Sequence, residues 1–305
     1  MRHDSEGICY SGYRAGQSPD AGEYPSLDEV AQDLHLIARR WPRIRIYDAG
    51  PHAELVLEAI TREGLDLHVL MGAYVKAEVS NPGCPWGGVY DEATLAQNRL
   101  DNDAEIARAA ELCNQYASII DGVSIGNEAT VSWTDHLVPV PRMIEHARAM
   151  KARVTQPVTF CENHVPWVDE LAPLVPELDF ISVHVYPVWE YRSIDDGLAA
   201  TIADYERVAN RYPGVQVAIT EAGWTTRSNG RGIEPHNAGV DQQARYYREL
   251  SDWARANDVL TYVFEAFDED WKGSDDPDEP EKHWGLFTID RRPKPAMHEH
   301  YPELV

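Results

Sequence analysis

Two carboxylates, Glu221 and Glu128, each end an apolar run. The first run is Val215-Gln216-Val217-Ala218-Ile219-Thr220-Glu221, which continues into Ala222-Gly223-Trp224. The second is Ile120-Asp121-Gly122-Val123-Ser124-Ile125-Gly126-Asn127-Glu128, where an amide precedes the acid. Runs of this kind read as buried parallel strands. An unpaired carboxylate inside such a strand would cost several kcal/mol, so an acid at the tip marks either a salt bridge or a site. Two such tips with aromatic neighbours are what acid-assisted cleavage of a glycosidic bond requires. One carboxylic acid protonates the leaving oxygen, and the other carboxylate attacks or supports the anomeric carbon. Two unrelated strand-end salt bridges do not explain why both acids carry an Asn or a Trp beside them.

The elements that would position this pair follow in a regular alternation. Strands are predicted at 7–11, 44–48, 67–74, 120–128, 157–162, 180–187, 215–221 and 260–267. Helices are predicted from the Ser26-Leu27-Asp28-Glu29 cap to about Trp41, through Leu55 and Ile60 to Gly64, over 91–116, after Pro141, from Trp167, over 195–211 and over 239–257, with a short closing segment near Met297. Alternation of this kind demands parallel pairing with right-handed crossovers, and eight units close into a barrel. The expected fold class is therefore α/β, a (β/α)8 TIM barrel, with residues 1–305 as a single catalytic domain. A doubly wound open sheet is the runner-up, but no strand is followed by a GxGxxG turn. In a barrel the functional side chains gather at the C-terminal strand ends. Those ends carry Tyr10, Tyr47-Asp48, Tyr74, Asn127-Glu128, Glu162-Asn163, His184 with Tyr186, Glu221 and Glu265.

Composition narrows the partners. The 305 residues carry a formal charge of −24, which repels nucleic-acid phosphates and anionic lipid. Neither nucleic acid nor membrane is expected as a partner, and no apolar run is long enough to span a bilayer. The start, Met1-Arg2-His3-Asp4-Ser5-Glu6, lacks an apolar signal core. The chain as it stands reads as cytoplasmic, or as periplasmic or secreted where a signal peptide has been removed. Cys9, Cys84, Cys113 and Cys161 are widely spaced and read as reduced thiols, Cys9 and Cys161 within core strands. Nine Trp and fifteen Tyr against five Phe tilt the aromatics toward rings that stack on sugars and also hydrogen-bond.

With these residues assembled, the chain resembles glycoside hydrolase family 17 of clan A, the β-1,3-glucanase and glucanosyltransferase family. The resemblance is carried by Gly7-Ile8-Cys9-Tyr10-Ser11, Ile44-Arg45-Ile46-Tyr47, Gly126-Asn127-Glu128, Thr220-Glu221-Ala222-Gly223-Trp224, Phe264-Glu265-Ala266-Phe267-Asp268-Glu269 with Trp271-Lys272, and Glu281-Lys282-His283-Trp284-Gly285-Leu286-Phe287. It implies that Glu128 is the general acid/base and Glu221 the nucleophile of a retaining enzyme acting on β-1,3-glucan. It also implies that Asn127 binds the sugar 2-hydroxyl, that Tyr186 holds Glu221, and that Glu269, Lys272 and Glu281 form a charged cluster beside the acid. Tryptophans at Trp271 and Trp284 set this chain with the bacterial and fungal branch, which includes glucan-transferring enzymes. Hydrolysis and glucanosyl transfer therefore both stand as expectations, with a catalytically silent glucan-binding barrel or a different sugar linkage as alternatives.

Further expectations concern the cleft. Trp133, Trp189, Trp224, Trp271 and Trp284 follow strand ends and are candidate sugar platforms, with Tyr10, Tyr47, His184 and Glu265 beside them. Arg14 and Asp48 are further candidates for sugar hydroxyls. The acidic loop 268–281 lacks the D-x-[DN]-x-[DN]-G order and holds Lys272, so it reads as a solvent-facing loop with no calcium. No HExxH or paired histidine spacing occurs, so no metal and no cofactor is expected; Met297-His298-Glu299-His300 reads as surface. Oligomeric state is left open. A retaining pair requires carboxyl groups about 5 Å apart, an inverting pair roughly 6.5–9.5 Å.

Overall fold

In the computed structural model, residues 4–305 are described. The reading of the chain start falls partly on residues 1–3, outside that range. Eight parallel strands, β1 (Glu6–Cys9), β2 (Arg43–Arg45), β3 (His68–Gly72), β4 (Ile120–Asn127), β5 (Val158–Asn163), β6 (Ile181–Val185), β7 (Val217–Ala222) and β8 (Thr261–Val263), follow one another around a closed barrel. Gly7 pairs with Arg43 on one side and with Tyr262 on the other, so β1 closes the ring onto β8. Most strand residues are buried, as expected of parallel strands covered on both faces.

Helices α1 (Leu27–Ala38), α2 (Pro51–Glu63), α3 (Glu92–Gln115), α4 (Val140–Lys151), α5 (His164–Val168), α6 (Ile194–Arg211) and α7 (Val240–Ala256) form the outer layer. Local chemistry sets their ends. Ser26 and Glu29 make a reciprocal capping box on α1, satisfying two otherwise orphaned amides. Pro51 opens α2, and Gly64 ends it at φ 60°, a left-handed conformation that only glycine adopts without cost. Asp91 caps α3 by accepting the Thr94 amide at 2.7 Å.

Three expectations need correction. The helix expected after Pro141 starts at Val140, and that expected from Trp167 starts at His164. The short closing segment expected near Met297 is a 3-10 turn at Pro295–Met297 that packs on α7; Pro293, Pro295 and Pro302 remove backbone donors and keep it short. Met297, expected at the surface with its neighbours, is fully buried there.

Candidate active site

The barrel brings the two acids together. Glu221 ends its inward reach on β7 and is almost completely buried; Glu128 follows β4 with its side chain 30% exposed. One carboxylate oxygen of each, and a nitrogen of His184, all lie within 4.8 Å of one another. His184 Nδ1 is 2.8 Å from Glu128 Oε1 and 3.6 Å from Glu221 Oε2, so the ring sits between the acids from β6. Glu128 itself has φ 44°, a left-handed conformation that costs a residue with a Cβ. It is held by its amide, which donates to the Cys161 carbonyl at 2.9 Å.

Glu221 is surrounded by donors. Tyr186 Oη donates to Oε2 at 2.5 Å, and Tyr47 Oη donates to Oε1 at 3.0 Å. Arg45 also donates to Oε1. Burial works against ionisation, but the charges of His184 and Arg45 and the bonds from Tyr186 and Arg45 outweigh it, holding the carboxyl down at about 2. Arg45 is the functional residue that sequence reasoning missed. It is 2% exposed and stacks 4.5 Å over the Tyr47 ring. Its Nη2 donates to Asn127 Oδ1 at 2.5 Å. That bond uses the acceptor of Asn127 and leaves its amide NH2 to face the cleft. The available signal was a guanidinium inside the apolar run Ile44-Arg45-Ile46, two residues from Tyr47 and so on the same strand face.

The segment after β8 supplies the charged cluster. Lys272 Nζ is 2.8 Å from Glu265 Oε2 and 2.6 Å from Glu269 Oε2, and Ser11 Oγ donates to Glu269. Two acids share one ammonium. Burial pushes Glu265 well up despite Lys272, whereas Lys272 and the Ser11 hydroxyl overcome burial at Glu269 and lower it. The shared ammonium thus favours the charged form at Glu269, while burial works against it at Glu265. Half-buried Glu281 is raised to about 7 by desolvation, with Lys272 opposing and Glu128 adding. The tip of the 268–281 loop faces solvent as expected, while Glu269 and Glu279 at its ends are buried.

These groups line one cleft of about 1290 Å³. Tyr10, Tyr47, Asn127, Glu128, Tyr186, Glu221, Trp271, Lys272, Glu281 and Trp284 all line it, as do Asp48, Tyr74, Asn163, Trp133 and Trp189. His184, Glu265 and Glu269 stand behind them as partners of lining residues. The Tyr10 hydroxyl is committed to Asp33 at 3.3 Å, so that residue offers only its ring. Arg14 pairs with the same Asp33 at 3.1 Å and is no part of the cleft wall. Glu162 is also spent internally, accepting from the Thr130 amide and hydroxyl and the Asn163 amide.

Trp224 does not line the cleft, contrary to expectation. It is 1% exposed, packs on Tyr246 at 5.3 Å and donates to the Asn237 carbonyl at 2.7 Å. Successive strand residues alternate faces, and three positions beyond Glu221 the side chain turns into the helical layer. The glycine before it is a packing requirement, because a Cβ at Gly223 would collide with the Phe264 carbonyl.

A second cluster, His164, Glu190 and Asp204, was invisible to sequence spacing. His164 Nε2 lies 2.8 Å from Glu190 Oε1 and Nδ1 lies 3.6 Å from Asp204 Oδ1, tying the loop of Glu190 and Tyr191 to α6. The four cysteines are all free and buried. Among the described residues no helix is long and apolar enough to cross a membrane.

Residues 7–285 match the model of the BtgE/BtgC glycoside hydrolase domain. The chain belongs to that family. A glucan 1,3-beta-glucosidase of Arthroderma benhamiae is 31% identical over 298 residues, covering 93% of this chain and 88% of the relative. A putative glucan endo-1,3-beta-glucosidase, btgC of Aspergillus niger, is 26% identical over 90% of this chain, which spans 40% of that longer protein. Among solved structures, an endo-laminarinase from Formosa superimposes with a TM-score of 0.81 at 23% identity, covering 97% of this chain and 86% of that one. A glycoside hydrolase family 17 beta-1,3-glucanosyltransferase from Rhizomucor miehei gives 0.71 at 21% identity and 95% coverage of both chains. At these identities the structural matches speak for the barrel alone.

Proposed function

We propose that this chain cleaves β-1,3-glucan with retention of configuration, Glu221 acting as nucleophile and Glu128 as general acid/base. The observation that carries the reading is the carboxylate pair itself. One oxygen of each acid lies within 4.8 Å of the other, which supports the close spacing of a retaining pair over the roughly 6.5–9.5 Å between the carboxyl groups of an inverting one. The two environments also differ as the two roles demand. Glu221 is buried, charged and oriented by Tyr186, Tyr47 and Arg45, which is what a nucleophile needs. Glu128 is the more open acid and can reach a leaving oxygen.

In the first step Glu221 attacks the anomeric carbon, the glycosidic C–O bond breaks, and Glu128 gives its proton to the departing oxygen. The Asn127 amide donates to the 2-hydroxyl of the attacked sugar, a bond that strengthens in the oxocarbenium-like transition state. In the second step Glu128 takes a proton from water, whose oxygen displaces Glu221. A polyhydroxyl substrate also suits the cleft walls. Trp284, Tyr13 and His52 line the cleft, and their buried atoms Trp284 Nε1, Tyr13 Oη and His52 Nε2 have no hydrogen-bond partner in the protein.

Transfer of the glucanosyl unit to a second sugar is the alternative reading. It is favoured by Tyr74, Trp133 and Tyr191, exposed aromatics on the rim that could stack an acceptor. The test is a digest of laminarin and defined β-1,3-gluco-oligosaccharides, with product anomers followed by NMR. First-formed β-anomers and loss of turnover in Glu221→Gln support the reading; first-formed α-anomers would remove the nucleophile assignment. Products longer than the starting oligosaccharide would make transfer the dominant second step.

A further inference from the structure

Building on that reading, we infer that Tyr13 and His52 form a subsite for a glucosyl unit on the non-reducing side of the one Glu221 attacks. Direction along the cleft follows from the chemistry. The acid must touch the leaving oxygen, so the leaving portion lies toward Glu128 and the walls beyond it, Trp133, Asn163 and Tyr191. The retained portion runs the other way, past Tyr47, which follows β2, to the loop after β1 and the first turn of α2. Tyr13 lies in that loop and His52 in that turn.

Both side chains are nearly sealed in protein, 3% and 5% exposed, and both line the cleft. Their rings stack at 5.2 Å with an interplanar angle of 24°. Tyr13 Oη and His52 Nε2 nonetheless have no partner within the protein. A phenol and an imidazole nitrogen whose hydrogen-bonding capacity is unused are an acceptor-and-donor set matched to neighbouring hydroxyls of a pyranose. The set is also held rigid. Tyr13 meets the Trp271 ring edge-on at 5.8 Å, Tyr10 packs on His52 at 5.8 Å, and Arg291 donates to the Gly12 carbonyl at 2.8 Å beside them. Ser11 bonded to Glu269, and the Gly16 amide donating to Asp270 Oδ2 at 3.3 Å, join this loop to the segment after β8. The two rings therefore belong to a wall that is already built, and a small rotation within it is all that separates their unpaired atoms from the cleft, which limits the ordering cost of binding.

Tyr13→Phe removes one oxygen and no internal bond, which makes it the informative variant. Unfolding of Tyr13→Phe is expected at the same temperature as wild type. Titration calorimetry of Glu221→Gln, with and without Tyr13→Phe, is then run with β-1,3-linked gluco-oligosaccharides of two to six units. The expected result is a loss of affinity of about tenfold for the longer oligosaccharides. In the active enzyme, KM rises by a similar factor while kcat changes little. His52→Phe, which keeps a ring and removes the nitrogens, gives the same pattern. Equal affinities across all lengths, or a clear drop in unfolding temperature for Tyr13→Phe, would overturn the subsite and leave the carboxylate assignments standing. Failure of every oligosaccharide to bind the Glu221→Gln parent, together with no turnover by wild type, would instead remove the glucan reading and this subsite with it.

Discussion

The two ends of the barrel both bury a carboxylate against a guanidinium, and they do so differently. At the N-terminal end Glu6 meets Arg40 in a two-bonded fork at 2.7 and 2.8 Å, with Arg255 3.4 Å away. Both carboxylate oxygens of Glu6 are used, and neither Glu6 nor Arg40 lines the cleft of the candidate site. At the C-terminal rim Glu221 gathers Arg45, Tyr47 and Tyr186, while Tyr13, His52 and Trp284 beside the same cleft keep unpaired polar atoms. The Glu6 carboxylate is spent on the fold, although Arg40 Nε and Tyr247 Oη beside it stay unpaired, whereas at the rim the unpaired atoms named belong to residues that line a cleft. An unpaired buried atom costs stability anywhere, and beside a cleft a bound molecule can recover part of that cost.

The largest effect expected from breaking this contrast is at Glu221. Glu221→Gln should lower kcat on laminarin by at least about 10⁴-fold, as removal of a nucleophile does elsewhere, with the circular-dichroism spectrum of the folded barrel retained. A folded variant with more than a few per cent of wild-type turnover would put the nucleophile on another residue. Glu6→Gln is the mirror case. It strands Arg40 without its counter-charge and should cost about 3–5 kcal/mol in urea unfolding, while kcat measured on the folded fraction stays at wild type. If Glu6→Gln instead reduced kcat with stability intact, the two ends would not be separate in function. Tyr186→Phe is the intermediate test, deleting one donor to Glu221 and nothing else. A fall in kcat of about 10²-fold is expected, the scale of a single well-placed donor in an active site, and an unchanged kcat would leave Tyr186 a packing residue.

The legibility of these features in the sequence depended on how local their cause is. Glu128 and Glu221 could be read because a barrel puts every strand tip on one rim, so an acid ending an apolar run has its position decided by topology. Trp224 was misread for the same reason at finer scale: it follows a tip, but the alternation of faces turns it outward onto Tyr246. Arg45 was passed over because a cation within a strand is ordinarily a solvent-facing residue, and its role exists only through partners on β4 and β7. The His164, Glu190 and Asp204 cluster joins three elements distant in sequence, so spacing carried no trace of it. That the chain closes on a short segment near Met297 was legible in the prolines around it, whereas the burial of Met297 was not.

The smallest expected effect is a pH dependence that distinguishes the rim from the base. Burial disfavours a charged His184, yet the charge of Glu221, the neighbouring Cys161 thiol and Glu128 more than offset it, raising His184 from 6.5 to about 10. A raised folded-state value means that this group stabilises the barrel fully below pH 6.5 and progressively less as pH climbs toward 10. Glu221 has the opposite sign: held at about 2 against its usual 4.5, it contributes above 4.5 and loses that contribution as pH falls toward 2. Both contributions are intact only between about pH 4.5 and 6.5. His184→Gln deletes the alkaline component alone. Urea midpoints measured from pH 5 to 10 should therefore fall more steeply for wild type than for His184→Gln, the two curves converging toward the alkaline end. Parallel curves would mean that His184 carries no extra proton between the two acids, and that Arg45 and the Tyr186 hydroxyl keep Glu221 ionised without it.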